Sequence, residues 1–187
     1  MPCKTALYQQ TTISGLQIYS GSAVAISNST FRENAGVGLW ENSIGATVTL
    51  SQNTFSDNPY GGGALVDGAA QAVLTGNSFI HNNSTAAQDD GGGAWLSGND
   101  GYGTVILTGN TFTGNASTSS QGSGGGSGGE VAIEGYDDAN ITGNNFNGNL
   151  ATVGGAIYVA MTEGSVSISA NTFSNNAAGG DGGAVYV

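Results

Sequence analysis

The nonapeptide LTGNTFTGN at 107–115 is written again as LTGNSFIHN at 74–82, ITGNNFNGN at 141–149 and ISANTFSNN at 168–176. Aligned on its phenylalanine the phrase has six copies, at Phe31, Phe55, Phe79, Phe112, Phe146 and Phe173, spaced by 24, 24, 33, 34 and 27 residues. A unit of about two dozen residues that tolerates insertions is the signature of stacked repeats. Five residues before each Phe stands Ile26, Leu50, Leu74, Leu107, Ile141 or Ile168, and seven before it Val24, Val48, Ala72, Val105, Ala139 or Val166. This alternation with period two predicts a half-buried strand.

A second apolar segment follows in each unit: GVGLW at 36–40, GGALV at 62–66, GGAWL at 92–96, GGEVA at 128–132, GGAIY at 154–158 and GGAVY at 182–186, with GLQIY at 15–19 as a degenerate forerunner. Two short strands per unit in constant register, without helical periodicity, predict an all-β chain: a single-stranded parallel β-helix of six to seven coils. Stacking supplies the core that no unit can close alone. Residues 1–14 read as a lead-in or partial coil and 15–187 as the solenoid. Insertions fall in the third and fourth coils, the second being the Gly/Ser-rich loop 116–129. Each Phe is expected inward at a corner, stacked on the next. Asn53, Asn77, Asn110, Asn144 and Asn171, two residues before it, are expected to bond to one another up the stack and to tolerate a left-handed corner.

The FxxN pairs, Phe31…Asn34 through Phe173…Asn176, alternate with Gly-Gly-Ala plus an apolar residue at 62–65, 92–95, 154–157 and 182–185. In this the chain resembles, over about 15–187, the repeats of polymorphic outer-membrane proteins, and more broadly the pectin-lyase-like right-handed β-helix superfamily. The resemblance, with the general preference of parallel crossovers, implies a right-handed coil. It also implies a surface-displayed, extracellular adhesive or structural rod. Residues 1–30 read as carrying no export signal, and residues 1–187 include no barrel of the autotransporter kind, so the resemblance is not expected to extend to the export route.

Charge narrows the partners. Two cationic residues, Lys4 and Arg32, stand against 13 carboxylates, for a formal charge of −11. Such a chain repels phosphate backbones and anionic lipid, so neither nucleic acid nor membrane insertion is expected. Cys3 is alone, and His81, the single histidine, has no fellow ligand. A polysaccharide-cleaving enzyme, the alternative reading, would need paired acids on adjacent coils. Glu33 with Asp57, and Glu41 with Asp67, are the candidates, outweighed by their reading as solvated carboxylates. Asp89, Asp90, Asp137 and Asp138 are the candidates for calcium. They lack the spacing of a calcium loop, so no cofactor is expected.

The second strand carries the candidate contact surface. If Ile18, Leu39, Leu65, Trp95, Val131, Ile157 and Val185 point inward, alternation turns out Tyr19, Trp40, Val66, Leu96, Ala132, Tyr158 and Tyr186. We expect Tyr19, Trp40, Val66, Leu96, Tyr158 and Tyr186 to meet a partner protein, another copy or a glycan. A register misread by one residue would exchange the faces. Val185, Tyr186 and Val187, in a last coil without a visible cap, suggest head-to-tail self-association into a filament or continuation into a longer surface protein. A hydroxyl column, Ser27, Ser51, Thr75, Thr108, Thr142 and Ser169, raises ice binding as a second alternative, although its neighbours form no regular Thr-x-Thr array. Glycosylation sequons stand at Asn28, Asn82, Asn83, Asn115 and Asn140. The function expected from sequence is a non-catalytic, extracellular structural or adhesive module.

Overall fold

Alternation does set the strands. In Thr47–Ser51, Val48 and Leu50 are buried and Thr47 and Thr49 face out; Gln71–Thr75 and Thr104–Thr108 repeat the pattern with Ala72, Leu74, Val105 and Leu107. A computed structural model describes residues 7–9, 14–19, 21–85, 91–98, 103–118, 130–161 and 164–187. Every regular element among them is a strand, and all the strand pairs are parallel. The first sheet stacks six strands from Ala23–Ser27 to Ser165–Ser169. The second stacks seven, from Leu7–Gln9 to Thr172–Ser174, and the third seven, from Leu16–Ile18 to Val185–Tyr186. Four two-residue strands, Asn83–Ser84, Ala116–Ser117, Leu150–Ala151 and Ala177–Ala178, make a short fourth sheet.

Each coil therefore runs from the third sheet to the first, then the second, and back. It has three principal strands where two were expected. The difference lies just after Asn28-Ser29 and its equivalents, where beyond a left-handed residue the chain forms a further strand in place of the expected corner. Each phenylalanine then sits at the centre of its own three-residue strand rather than at a corner. The six rings form one file, with centroids 4.7 to 5.1 Å apart and planes within 9°. Phe31, Phe55, Phe79, Phe112 and Phe146 are wholly buried beside the Leu, Val and Ile columns.

Two asparagine files close the corners. In the first, Asn77 Nδ2 donates to Asn110 Oδ1 at 3.0 Å and to the Leu50 carbonyl at 2.8 Å, and the Asn77 backbone NH donates to the same Asn110 oxygen at 2.9 Å. Asn53, Asn110 and Asn144 repeat this pattern, and Ser29 heads the file through its backbone NH. The second file, Asn34, Asn58, Asn82, Asn115, Asn149 and Asn176, does the same one corner further on, except that Asn115 reaches Asn149 through its backbone NH alone. These amides satisfy backbone groups that a turning chain would otherwise leave orphaned in the core.

The left-handed residue is not the asparagine itself, as expected, but its predecessor. Asn28, Gln52, Gly76, Gly109, Gly143 and Ala170 precede the first file, and Glu33, Asp57, His81, Gly114, Gly148 and Asn175 the second, all with φ between 50° and 71°. Inward-pointing asparagines must keep ordinary geometry to reach their neighbours, so the turn falls on the exposed residue before them. Around Gly109 (φ 62°) an added Cβ would meet nothing within 4 Å. Gly109→Ala should therefore cost about 1–2 kcal/mol of backbone strain alone, readable as a lowered urea midpoint with an unchanged slope.

Candidate ligand-binding face

The outer side of the third sheet carries the aromatic groups. Strand register aligns Gln17, Trp40, Leu65, Trp95, Ala132, Tyr158 and Tyr186 in one outward column. The inward residues beside them are Ile18, Glu41, Val66, Leu96, Ile133 and Val159. Val66 and Leu96 are completely buried, which overturns their expected outward placement; Leu65 and Trp95 take their places outside.

The cause is that Gly-Gly-Ala is used in two registers. Gly63 and Gly93 lie level with Gly38, Glu130, Ala156 and Ala184, so Ala64 and Ala94 fall one position later than Ala156 and Ala184. Alternation carried back from Ile133 and Val159 would have found this; alignment on the tripeptide hid it. Trp40, Tyr158 and Tyr186 do face out, Tyr186 being 40% exposed. Tyr19 lies one strand step from the column, 60% exposed, with its ring 5.8 Å edge-on from Trp40 and its hydroxyl donating to Gln17.

Local geometry distinguishes the aromatic groups. Tyr158 and Tyr186 stack face to face at 5.5 Å, so their edges point outward. Trp95 behaves differently: its Nε1 donates to Glu134 Oε2 at 3.3 Å, one coil further along. The indole thus leans along the rod over Ala132, which is fully buried between Trp95 and Tyr158 in the column. Beside this column runs a polar one, Asn42, Asp67, Ser97, Glu134 and Ala160, in which Asn42 Nδ2 donates to Asp67 Oδ2 at 2.9 Å. Val185 is half-buried, and Val187, in the same last strand region, is 69% exposed.

The acid pairs fare differently. Glu41 pairs in register with Val66 and points into the core, whereas Asp67 pairs with Asn42 and points out. They do not stack, because successive residues of a strand face opposite ways. Neither Glu41 oxygen has a hydrogen-bond partner among the described residues. Burial raises its carboxyl above the ordinary range, the proximity of Ser43 offsets part of this, and the Asp67 charge adds to it. Glu33 and Asp57 occupy equivalent exposed corners, and Asp57 Oδ1 lies 3.8 Å from His81 Nδ1 in the next coil.

Two buried polar groups escaped the sequence reading. Glu130 stands where other coils place Gly63, Gly93 and Ala156, and it is wholly buried. Asn115 Nδ2 turns to it, donating to Glu130 Oε1 at 2.6 Å, instead of to Asn149 as the file would dictate. Burial drives the Glu130 carboxyl well above the ordinary range, opposed in part by Asn115. Tyr136, also fully buried, has a hydroxyl without a partner among the described residues; burial first, then the charges of Glu41 and Asp67, push its pKa up.

Of the calcium candidates, Asp89 and Asp90 lie outside the described residues. Asp138 Oδ1 accepts from the Ser165 backbone and hydroxyl at 3.1 and 2.6 Å. Among the described residues no three His, Cys, Asp or Glu side chains gather, and no helix is long and apolar enough to cross a membrane. Loop 116–129 lies outside the described residues from 119 onward, as does most of the lead-in 1–14, apart from the strand Leu7–Gln9 and Ser14. The hydroxyl column Ser27 to Ser169 is in register on the first sheet, flanked by Ala25, Thr49, Val73, Ile106, Asn140 and Ser167. The sequons at Asn82 and Asn115 are buried in the second file and closed to glycosylation; Asn28 and Asn140 are exposed.

In comparison with protein families, the model of the right handed beta helix region matches residues 8–79. The chain is a right-handed parallel β-helix. With the stacked coils, that match supports the pectin-lyase-like superfamily. Neither the curated proteins nor the solved structures contain a match to it. In this β-helix, the third sheet's outer side sets a column containing Trp40, Leu65, Trp95, Tyr158 and Tyr186 beside one containing Asn42, Asp67, Ser97 and Glu134.

Proposed function

We propose that this β-helix is a non-catalytic, extracellular structural or adhesive module. It holds a partner surface on the outer face of its third sheet, in the manner of the polymorphic outer-membrane-protein repeats its FxxN and Gly-Gly-Ala motifs resemble. The observation that carries this reading is the outward column Trp40, Leu65, Trp95, Ala132, Tyr158 and Tyr186, aligned strand by strand and small only at Ala132. An apolar column repeated at about 4.8 Å along a rigid rod offers area without pre-forming a cleft, as adhesion requires and catalysis does not. The division of Glu41 and Asp67 between core and surface counts in the same direction, since a hydrolytic pair would have to converge.

The test is retention of the labelled protein on intact cells and secreted matrix of its source. The triple variant Trp40→Ala, Trp95→Ala, Tyr158→Ala should lose at least about tenfold in affinity, roughly 1.4 kcal/mol or more. Thr108→Ala on the first sheet should bind like the parent. Equal retention of the triple variant, or turnover of a polysaccharide by the parent that Asp67→Asn abolishes, would overturn the proposal.

A further inference from the structure

We infer that the corner leading from the third sheet to the first holds a dehydrated alkali cation, sodium or potassium, coordinated inside the coil by the Glu41 carboxylate, Ser43 Oγ and Tyr136 Oη. The site is interior, and its test does not depend on what the outward strip binds.

Register brings the three residues together. Ser43, Ala69, Gly98 and Tyr136 end or follow the third-sheet strands of four successive coils, Ala69 and Gly98 being partners in register. An added Cβ on Gly98 would lie 3.0 Å from Tyr136 Cγ, so the Tyr136 ring rests on bare backbone of the coil before it. Over Gly98 and the small Ala69 it leans back towards the earlier coils, and its hydroxyl feels the charges of Glu41 and Asp67 there. Glu41 points inward level with Val66, and Ser43, two residues on, stands beside its carboxyl.

These oxygens are not answered by protein. Glu41 and Tyr136 are wholly buried and Ser43 nearly so. Both Glu41 oxygens, Ser43 Oγ and Tyr136 Oη have no hydrogen-bond partner among the described residues. An ionised carboxylate sealed from water has to be compensated, and Asp67 adds further negative charge from the next coil. The chain brings no cation to it. Of Lys4 and Arg32, the first lies outside the described residues. Arg32 belongs to the second sheet, its Nε 3.5 Å from Glu33.

The donors select the ion. All are hard oxygens, without nitrogen or sulfur, which suits a hard cation. One carboxylate balances one charge, and among the described residues no three acids gather for a divalent ion. A need for hydrogen bonds alone would let the Ser43 or Tyr136 hydroxyl donate to the carboxylate directly. Both stand apart from it, as oxygens do around an ion that they share. In an ion-free medium burial lifts the carboxyl above its ordinary range, and a proton takes the place of the cation.

The experiment is urea unfolding of the full chain at pH 7.5, with choline chloride replaced by potassium or sodium chloride at constant ionic strength. Choline is too large to enter. An alkali ion should raise the midpoint, the unfolding constant falling about tenfold for each tenfold rise in ion once the site fills. Glu41→Gln should unfold alike in choline and in either alkali salt. Tyr136→Phe, which keeps the ring, should raise the half-saturating concentration about tenfold. Glu33→Gln, at an exposed corner, should respond as the parent does. Crystals soaked in rubidium chloride should show an anomalous peak between Glu41 and Tyr136.

A parent midpoint that is the same in choline and in both alkali salts overturns the inference. So does stabilisation by calcium alone, or an alkali response that survives Glu41→Gln. Should Glu41→Gln fail to give a cooperative transition, an undiminished response in Tyr136→Phe overturns it instead.

Discussion

Glu130→Gln is expected to stabilise the protein at neutral and alkaline pH and to leave it almost unchanged near pH 4. The carboxyl is wholly buried, one oxygen has no partner among the described residues, and burial raises its pKa well above the ordinary 4.5. A raised folded pKa means that the native state holds a proton the unfolded chain releases. The stabilisation is complete below the unfolded value and is lost as pH climbs towards the folded one, by up to about 1.4 kcal/mol per pH unit. Gln has no proton to lose, so this slope should vanish. Glu41 contributes with the same sign, and the double change with Glu41→Gln should flatten the profile further.

Glu130→Ala should stabilise as well, for a structural reason. It restores the small residue used at Gly63, Gly93 and Ala156, and it frees Asn115 Nδ2 to reach Asn149 Oδ1, which already accepts the Asn115 backbone NH at 3.0 Å. Urea unfolding from pH 4 to 9 reads all these variants. A Glu130→Gln profile parallel to that of the parent would refute the account.

Asn110→Ala should act in the opposite direction, and strongly. Asn110 Oδ1 receives both the backbone NH and the Nδ2 of Asn77, and its own Nδ2 donates to the Leu74 carbonyl at 2.8 Å and to Asn144 Oδ1 at 3.0 Å. All of these groups are buried. Leaving a buried donor or acceptor unpaired costs about 1–3 kcal/mol, so the loss should reach about 3–5 kcal/mol. Asn171 makes equivalent bonds half-buried in the last coil, its Oδ1 accepting from the Asn144 NH and Nδ2 and its Nδ2 donating to the Ile141 carbonyl; water can reach the groups it would abandon, so Asn171→Ala should cost about 1 kcal/mol. Amide hydrogen exchange should show the Asn110 variant opening around Asn77. Equal losses at the two positions would mean that burial does not govern these files.

The coil stack was legible in the sequence because it rests on positions that cannot vary independently. Each Phe stacks on the next in the file, so all six share one shape, and Asn77 needs Asn110 as Asn53 needs Asn77. The number of strands per coil was not legible. The corner that divides them falls on residues as unlike as Gln52, Gly109 and Ala170, which share a conformation but no side-chain chemistry. On the third sheet the outward residues at Trp40, Tyr158 and Tyr186 were found, and those at Leu65 and Trp95 were missed. A repeated tripeptide looks like a register mark, yet Gly and Ala interchange freely where the chain needs only a small residue. Larger side chains, such as Leu96 opposite Ile133, hold the phase. Glu130 looked like a resumption of the strand, since nothing local says that a carboxyl there has displaced an amide contact.

Apart from Asn115, the linking amides of both corner files point the same way: one Nδ2 hydrogen goes to the Oδ1 of the later coil, from Asn34 to Asn58 to Asn82 and from Asn53 through Asn144 to Asn171, while the other goes to a backbone carbonyl of the earlier coil. Their dipoles add, and each polarises the next, strengthening it by about 10–30%. The axis consequently has an electrical sense as well as a geometric one. Where Glu130 intercepts Asn115, one of these two lines of aligned amides is interrupted, while the other continues from Asn53 to Asn171.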